Sequence, residues 1–251
     1  MFTVHPVQYT VNEDKQDWFL KYKQCACQTL FLANILVDVD SVIFVKPDIL
    51  FLDAPEKLWR VFGKFNTSHI AGAGVECGED GINCQYTNIL PYPYLKPHGL
   101  SSNIMLMNLT RMRNLKWQAT LIDIYSRHKN QLNYGDQDIL NIYFATREPT
   151  LYRLGCEWNY RPRFCRDKHL CRSSVRRKGI RALHRGKANF GNLNLNEFFA
   201  TFADYRFEEN FTERFLNVLQ AKMASLRLRY DLKSCGNVAD SVLKQLTCLR
   251  T

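Results

Sequence analysis

The pattern of apolar and polar residues predicts helices that alternate with short buried strands. Apolar positions in 18–36 recur at helical spacing, and the β-branched run 42–45 is typical of a buried strand. Further strands are expected at 49–52, 104–109 and 151–154, and further helices at 55–62, 112–127, 139–144 and 196–228. This alternation indicates an α/β sheet covered on both faces, which binds its ligands at the carboxyl ends of its strands.

One long connection interrupts the alternation. Residues 72–99 contain several glycines and prolines and no clear apolar period. A connection of this length is unusual in a compact domain, so the sequence predicts a binding loop or lid there.

Composition narrows the class of protein. The 251 residues suit one sizeable domain or two small ones, and no apolar stretch approaches the ~18 residues that span a bilayer. Much of the net charge of +10 comes from 161–187. That segment is a solvated face, a site for a phosphorylated small molecule or a polyanion-binding surface. No nucleic-acid module accompanies it, so no nucleic-acid partner is expected.

Cysteines and glycosylation sequons favour an oxidising compartment. The chain has nine cysteines and three N-x-[ST] sequons, at Asn66, Asn108 and Asn210. Cys156, Cys165 and Cys171 lack the spacing and the histidine pair of a structural zinc site, so we expect disulfides whose pairing the sequence leaves open.

Two acidic positions are candidates for chemistry. Asp48 lies between two apolar runs, where a carboxylate is either a turn residue or a metal ligand. Asp136 opens an apolar helix in Gly-Asp-Gln-Asp, where it either caps the helix or binds a ligand.

Four ordered segments together resemble glycosyltransferase family 8, in its glucoside xylosyltransferase branch. They are 38–52, 104–113, 135–141 and 156–162, the last followed by Cys165 and Cys171. The resemblance extends over nearly the whole chain and implies an α/β domain of the glycosyltransferase-A type. It implies that 1–195 is the catalytic domain, N-terminally incomplete and lacking its first strands, and that 196–251 is a helical C-terminal extension.

The resemblance also implies an activity. The enzyme would transfer xylose from UDP-xylose to O-linked glucose on EGF-like repeats, forming an α-1,3 linkage with retention and using Mn²⁺. It would work in the lumen of the Golgi or endoplasmic reticulum, as a type II membrane protein whose N-terminal anchor this chain lacks.

Residue roles carry over position by position. Asp136 and Gln137 would be catalytic, and Asp48 and His184 would bind the metal. The donor would be held by Lys46, Asp48, Ser101, Ser102, Asp136, Gln137, Gly186 and Lys187, with Arg185 helping to stabilise the departing charge.

The chain departs from the family pattern in two motifs. Lys46 stands where the family has the first Asp of its D-x-D motif, and an ammonium group cannot ligate a metal but can contact a diphosphate. Pro47 lies in the middle of this motif and alters its turn. Asn103 stands where the family has glycine. These departures support an alternative, in which the protein is a catalytically impaired relative that acts as a binding or scaffold protein.

Overall fold

The computed structural model describes residues 28–77, 86, 90–161, 164, 171, 175, 178–185, 196–206, 208, 210–229 and 242. The chain divides into two compact units, and each is described by itself. The first is drawn from Met1–Val45, Phe62–Cys77 and Asn83–Leu154, and the second from Lys46–Val61, Gly78–Ile82 and Gly155–Thr251.

The described elements alternate much as the sequence predicts. The strands are β1 (Ser41–Val45), β2 (Ile49–Phe51), β3 (Ala71–Val75), β4 (Leu100–Asn108), β5 (Leu151–Arg153) and β6 (Ala182–His184). The α-helices are α1 (Gln28–Ile35), α2 (Pro55–Trp59), α3 (Leu109–Asn114), α4 (Trp117–His128), α5 (Asp136–Ala145), α6 (Asn196–Asp204) and α7 (Asn217–Arg229). Short 3₁₀ turns occur at Arg60–Lys64, Glu148–Thr150 and Cys156–Trp158, and a π-helical turn at Phe211–Leu216. Residues 18–27 of the first predicted helix lie outside the described residues.

The first unit is built on a four-stranded mixed sheet in the order β1-β4-β3-β5. Strand β4 is antiparallel to both of its neighbours, and β3 is parallel to β5. Because β4 is central, eight of its nine residues are buried, which explains its unbroken apolar run. The helices α1, α4 and α5 contribute Leu30, Trp117 and Phe144 to the same apolar core as the strand residue Met105.

The predicted helix 112–127 is two helices. It breaks at Lys116, whose φ of 52° lies in the left-handed region, and α4 begins at the next residue. The indole nitrogen of Trp117 donates a hydrogen bond to the carbonyl oxygen of Leu30 at 2.9 Å. The helix break therefore accompanies the packing of this buried indole. No Gly or Pro at this point of the sequence predicts the break.

The prediction of a loop over 72–99 is wrong for its first residues, because Ala71–Val75 forms β3. Its Gly72 allows close packing, since a Cβ there would lie 3.2 Å from Phe65 Cζ and 3.4 Å from the Leu106 side chain. From its sequence, a glycine-rich strand is easily predicted to be a loop, because the contacts that favour glycine come from residues far away in the chain.

The second unit contains the antiparallel pair β2–β6. Cys156 and Cys171 form a disulfide there, and Cys77 of the first unit is disulfide-bonded as well. Each cysteine among the described residues is thus oxidised, as predicted; Cys165 lies outside them. No helix within the described ranges is long and apolar enough to cross a bilayer.

The predicted helical region 196–228 is confirmed where it is described. It forms α6, the π-helical turn and α7, with a break between Asp204 and Phe211. The Lys222 ammonium donates to Thr201 Oγ1 at 2.9 Å, and the rings of Phe202 and Phe215 meet edge to face at 4.7 Å.

Candidate functional site

The predicted site residues fall into two groups. Ser101, Ser102, Asp136 and Gln137 belong to the first unit, whereas Lys46, Asp48 and His184 belong to the second. Gly186 and Lys187 lie outside the described residues. Each group is therefore built up separately.

A glycine turn places the Gly-Asp-Gln-Asp motif. Gly135 has φ 65° and ψ −126°, a conformation that L side chains rarely adopt, and it occupies the N-cap position of α5. Asp136 is consequently in the first helical turn rather than at the cap. It is only 4% exposed, and Gln137 is only 6% exposed.

Gln137 lies against the segment that precedes the apolar part of β4. Its Oε1 accepts from the backbone N–H of Ser102 at 3.3 Å and from Ser102 Oγ at 3.4 Å. Ser101 and Ser102 are fully buried. The structure thus brings together Gln137 and Ser102, two residues that the sequence assigned to one donor site.

Asn141, one helical turn after Gln137, fixes this contact. Its Oδ1 accepts from the Leu100 N–H at 2.7 Å, and its Nδ2 donates to the Leu100 carbonyl at 3.0 Å and to the Gln137 carbonyl at 2.8 Å. Asn141 therefore ties α5 to the start of β4. The motif-based analysis gave it no role, although the i, i+4 spacing from Gln137 was a usable signal.

Asp138 holds the turn before the helix. Its Oδ2 accepts from the backbone N–H groups of Asn133 at 2.8 Å and Tyr134 at 2.7 Å, and its Oδ1 accepts from the Tyr86 hydroxyl at 2.7 Å. Burial, together with the neighbouring Asp138 charge, raises the pKa of Tyr86 well above its usual range, so the hydroxyl stays a donor. Asp138 and Tyr86 were missed by the sequence analysis.

Asn103 lies beside Ser102 in β4. Its side chain is 5% exposed, and its buried Nδ2 has no hydrogen-bond partner within the part of the chain that the structure describes. The residue that replaces the family's glycine is therefore accommodated inside the sheet.

In the second unit, strand pairing brings Asp48 and His184 together. The register of β2 and β6 sets His184 opposite Ile49, next to Asp48 in the chain. His184 Nε2 lies 2.9 Å from Asp48 Oδ2, and the Arg185 N–H donates to the Asp48 carbonyl at 3.0 Å. The side chain of Asp48 is 43% exposed and that of His184 is 11% exposed. The two residues that the sequence analysis gave as metal ligands are thus neighbours in the structure.

Neighbouring side chains lower the pKa of the Asp48 carboxyl. The hydrogen bond from His184 lowers the pKa of the Asp48 carboxyl most, and the Lys46 charge lowers it further, against the opposing effect of burial. The Arg185 guanidinium lies 6.0 Å from the centre of the Phe199 ring. Asp48 is therefore an ionised carboxylate near neutral pH, and the Lys46 charge is close enough to favour that state.

A sequence match shows the family to which the chain belongs. Residues 18–180 match the sequence profile of Glycosyl transferase family 8, which is more than half of the chain. The chain belongs to this family. The Asp48 region, the Ser101–Ser102 segment and the Gly-Asp-Gln-Asp motif all lie within the matched residues.

Relatives match the chain along nearly its whole length. Glucoside xylosyltransferase 2 of Mus musculus is 32% identical over 257 residues, covering 97% of this chain and 56% of that protein. Glucoside xylosyltransferase 1 of Gallus gallus is 32% identical over 259 residues, covering 98% of this chain and 58% of that protein. The chain thus spans somewhat more than half the length of these curated relatives.

A solved structure supports the fold. An active-site mutant of LgtC superimposes with a TM-score of 0.52 at 17% identity, covering 76% of this chain and 71% of that one. Likeness at this identity concerns the fold alone, and it confirms the predicted α/β fold of the glycosyltransferase-A type.

Members of family 8 generally use a divalent metal ion. We therefore ask whether Asp48 and His184 are placed as ligands of such an ion. Two ligands of one ion at ~2.1 Å and at a right angle to each other lie about 3 Å apart. The Asp48 and His184 atoms have that separation, so this pair fits as two neighbouring ligands. No group of three or more potential ligand side chains occurs among the described residues.

Proposed function

We propose that the protein transfers xylose from UDP-xylose to O-linked glucose on EGF-like repeats, with an α-1,3 linkage and retention at the anomeric carbon. The similarity of almost the entire chain to relatives named glucoside xylosyltransferase carries this proposal. The buried, intact Gly-Asp-Gln-Asp motif beside Ser102 supports it, since these are the residues to which the sequence assigned the donor sugar.

The first-unit residues would orient the donor sugar. Asp136, in the first turn of α5, would accept hydrogen bonds from sugar hydroxyls, and Gln137 would lie near the anomeric carbon. Both are buried, where low dielectric strengthens such hydrogen bonds. The adjacent helix N-terminus favours the negative charge of Asp136.

Retention would follow a front-face route. The bond from the anomeric carbon to the UDP oxygen breaks, the acceptor oxygen bonds to the same face, and the acceptor proton passes to the departing diphosphate. The protein's task is then mainly electrostatic. Lys46, Arg185 and Lys187 would contact the diphosphate.

Asp48 and His184 would hold the divalent ion that we propose to be Mn²⁺. When bound, such an ion supplies Lewis-acid stabilisation of the departing diphosphate. The two side chains are pre-positioned by the β2–β6 pairing, and the ionised Asp48 provides the anionic ligand.

The compartment and domain limits are part of the proposal. The disulfide between Cys156 and Cys171 suits the lumen of the Golgi or endoplasmic reticulum. There the protein would be a type II membrane protein, held by an N-terminal anchor. Residues 1–195 would form the catalytic domain and 196–251 its helical extension.

UDP-xylose turnover on glucosylated EGF-like repeats tests the proposal. The chain and a version extended at its N-terminus to the length of its relatives are compared with and without Mn²⁺. Xylose transfer that rises with Mn²⁺ is the expected result. Absence of transfer by both folded proteins would refute the proposal and favour the alternative of a binding or scaffold protein, which Lys46 and Asn103 support.

A further inference from the structure

We propose that Asn66 carries an N-linked glycan and that Asn108, which has a matching sequon, does not. The inference rests on the lumenal compartment of the proposed function. It concerns a surface of the first unit that the transfer reaction does not use. The sequence offers the sequons Asn66-Thr67-Ser68, Asn108-Leu109-Thr110 and Asn210-Phe211-Thr212, and the structure separates them.

Asn66 lies in an exposed turn that its own amide oxygen organises. Oδ1 accepts from Ser68 N, Ser68 Oγ and His69 N, each at 3.0 Å. The hydroxyl required by the sequon is therefore already bonded to the amide that would be modified. All three bonds use Oδ1, and none of them uses Nδ2.

The other hydrogen bonds of the turn do not involve the amide nitrogen Nδ2 of Asn66. The Asn66 backbone N–H donates to His69 Nδ1 at 3.0 Å. One Arg111 guanidinium nitrogen donates to the carbonyl oxygens of Asn66 at 2.6 Å and His69 at 2.7 Å. A rigid, exposed turn thus presents Nδ2 on the surface.

Modification of Nδ2 would preserve this turn. The nitrogen attacks the anomeric carbon of an oligosaccharide linked to a lipid diphosphate. The new bond joins Nδ2 to that carbon, the bond from the carbon to the diphosphate oxygen breaks, and one N–H proton is lost. The product is still a carboxamide, so Oδ1 remains the acceptor of its three hydrogen bonds.

Asn108 is placed differently. It is the last residue of the central strand β4, opposite Ser41 of β1, and its backbone N–H donates to the Ile70 carbonyl at 2.8 Å. Its Oδ1 accepts from the Arg111 N–H at 2.8 Å as the N-cap of α3, and the next residue, Leu109, is fully buried. The side chain is only partly exposed between two strands, where a branched glycan would disturb the neighbouring chain.

Asn210 is also exposed, so its sequon has to be removed for a clear result. Its Oδ1 accepts from the Glu213 N–H at 3.1 Å as a helix cap. Thr212→Ala removes the sequon and keeps this cap. In the same way, Ser68→Ala removes the Asn66 sequon but leaves two of the three hydrogen bonds to Oδ1.

The test expresses the Thr212→Ala chain in cultured animal cells behind a cleavable secretion signal. Protease protection shows that the chain is in the lumen. Secreted and cell-retained chains are both treated with peptide N-glycosidase in heavy-oxygen water, which converts each glycosylated Asn to a labelled Asp. We expect one glycan-sized mobility shift, label at Asn66 in most molecules and none at Asn108. Adding Ser68→Ala abolishes the shift, and adding Thr110→Ala leaves it unchanged.

A lumenal chain without label at Asn66, or with label at Asn108, would overturn the proposal. The readout does not depend on sugar transfer by the protein itself. A glycan at Asn66 without UDP-xylose turnover would refute only the proposed activity, whereas turnover without that glycan would refute only this inference.

Discussion

The buried carboxylate of Asp138 should contribute strongly to the stability of the folded state. It is fully buried and accepts three hydrogen bonds, from Tyr86 Oη, Asn133 N and Tyr134 N, all within 2.8 Å. The perturbation that tests this is a pair of substitutions, Asp138→Ala and Asp138→Asn.

The two substitutions should differ in size. Alanine removes the acceptor of three donors, one of them the fully buried Tyr86 hydroxyl, so we expect a loss of about 3–5 kcal/mol in the free energy of unfolding. Asparagine can point Oδ1 at the two backbone N–H groups and donate from Nδ2 to Tyr86 Oη, which then accepts. Its loss should be about 1–2 kcal/mol, from weaker neutral hydrogen bonds and a lost charge in the first helical turn.

Tyr86→Phe provides the partner measurement. It removes the hydroxyl that donates to the Asp138 carboxylate and also hydrogen-bonds with Gln137, and it should lower the free energy of unfolding by about 1.5–3 kcal/mol. Tyr134→Phe is the matched control. Its ring lies 6.2 Å from the Tyr86 ring, but it is 40% exposed, so the same chemical change should alter stability by less than about 0.5 kcal/mol.

The assay is equilibrium unfolding in urea, followed by tryptophan fluorescence, to which the buried Trp117 of the same unit contributes. In the double mutant Tyr86→Phe, Asp138→Ala, the loss should be smaller than the sum of the single losses, because both remove the same hydrogen bond. Equal effects of Tyr86→Phe and Tyr134→Phe, or strict additivity in the cycle, would refute the reasoning.

Four further predictions concern single positions. Asp136→Asn should reduce xylose transfer at least about a hundredfold and lower the free energy of unfolding by only about 1 kcal/mol, because it keeps the side-chain volume and removes the charge at the helix N-terminus. Retained turnover in the folded variant would contradict the assignment. Lys46→Asp should tighten Mn²⁺ binding in the presence of UDP by about tenfold or more, since an anion replaces a cation two residues from Asp48; the fall of the free-ion electron paramagnetic resonance signal measures it, and unchanged affinity would argue against a metal at Asp48. Gly135→Ala should lower the free energy of unfolding by about 1–3 kcal/mol, because φ is 65° there, and a neutral effect in urea unfolding would contradict this. Cys171→Ser should lower the free energy of unfolding by up to about 3 kcal/mol, because it removes the constraint on a 15-residue loop. Urea unfolding measures this loss, and an unchanged free energy of unfolding would contradict it.

Local patterns predicted most of the secondary structure and left the tertiary contacts open. Strands β1 and β4 were predictable because their apolar runs reflect burial in a sheet. Strand β3 was not, because its Gly72 packs closely against Phe65 and Leu106, which approach from elsewhere in the chain. The helix break at Lys116 has no local marker either, and depends on the buried Trp117.

The candidate site shows the same division. The motif residues Asp136 and Gln137 could be named from sequence, and so could the candidates Asp48 and His184. Their partners could not be, since the Tyr86–Asp138 hydrogen bond joins residues 52 positions apart. Only the folded structure shows that the Asp138 carboxylate accepts hydrogen bonds from other parts of the protein.

Hydrogen-bond capacity separates the roles of neighbouring motif residues. A carboxylate offers about four acceptor positions, and three of those on Asp138 are filled by short bonds from the protein itself, so it has little capacity left for a sugar. Gln137 Oε1 instead accepts from Ser102 at 3.3 and 3.4 Å, longer than the usual ~2.9 Å, and the Gln137 side chain also hydrogen-bonds with the Tyr86 hydroxyl. In the proposed function, a donor-sugar hydroxyl would replace the long bonds from Ser102. Substitution of Asp138 should therefore act first on stability and substitution of Gln137 on turnover. Joint measurement of unfolding and transfer would distinguish a positioning residue from a catalytic one within a single helical turn.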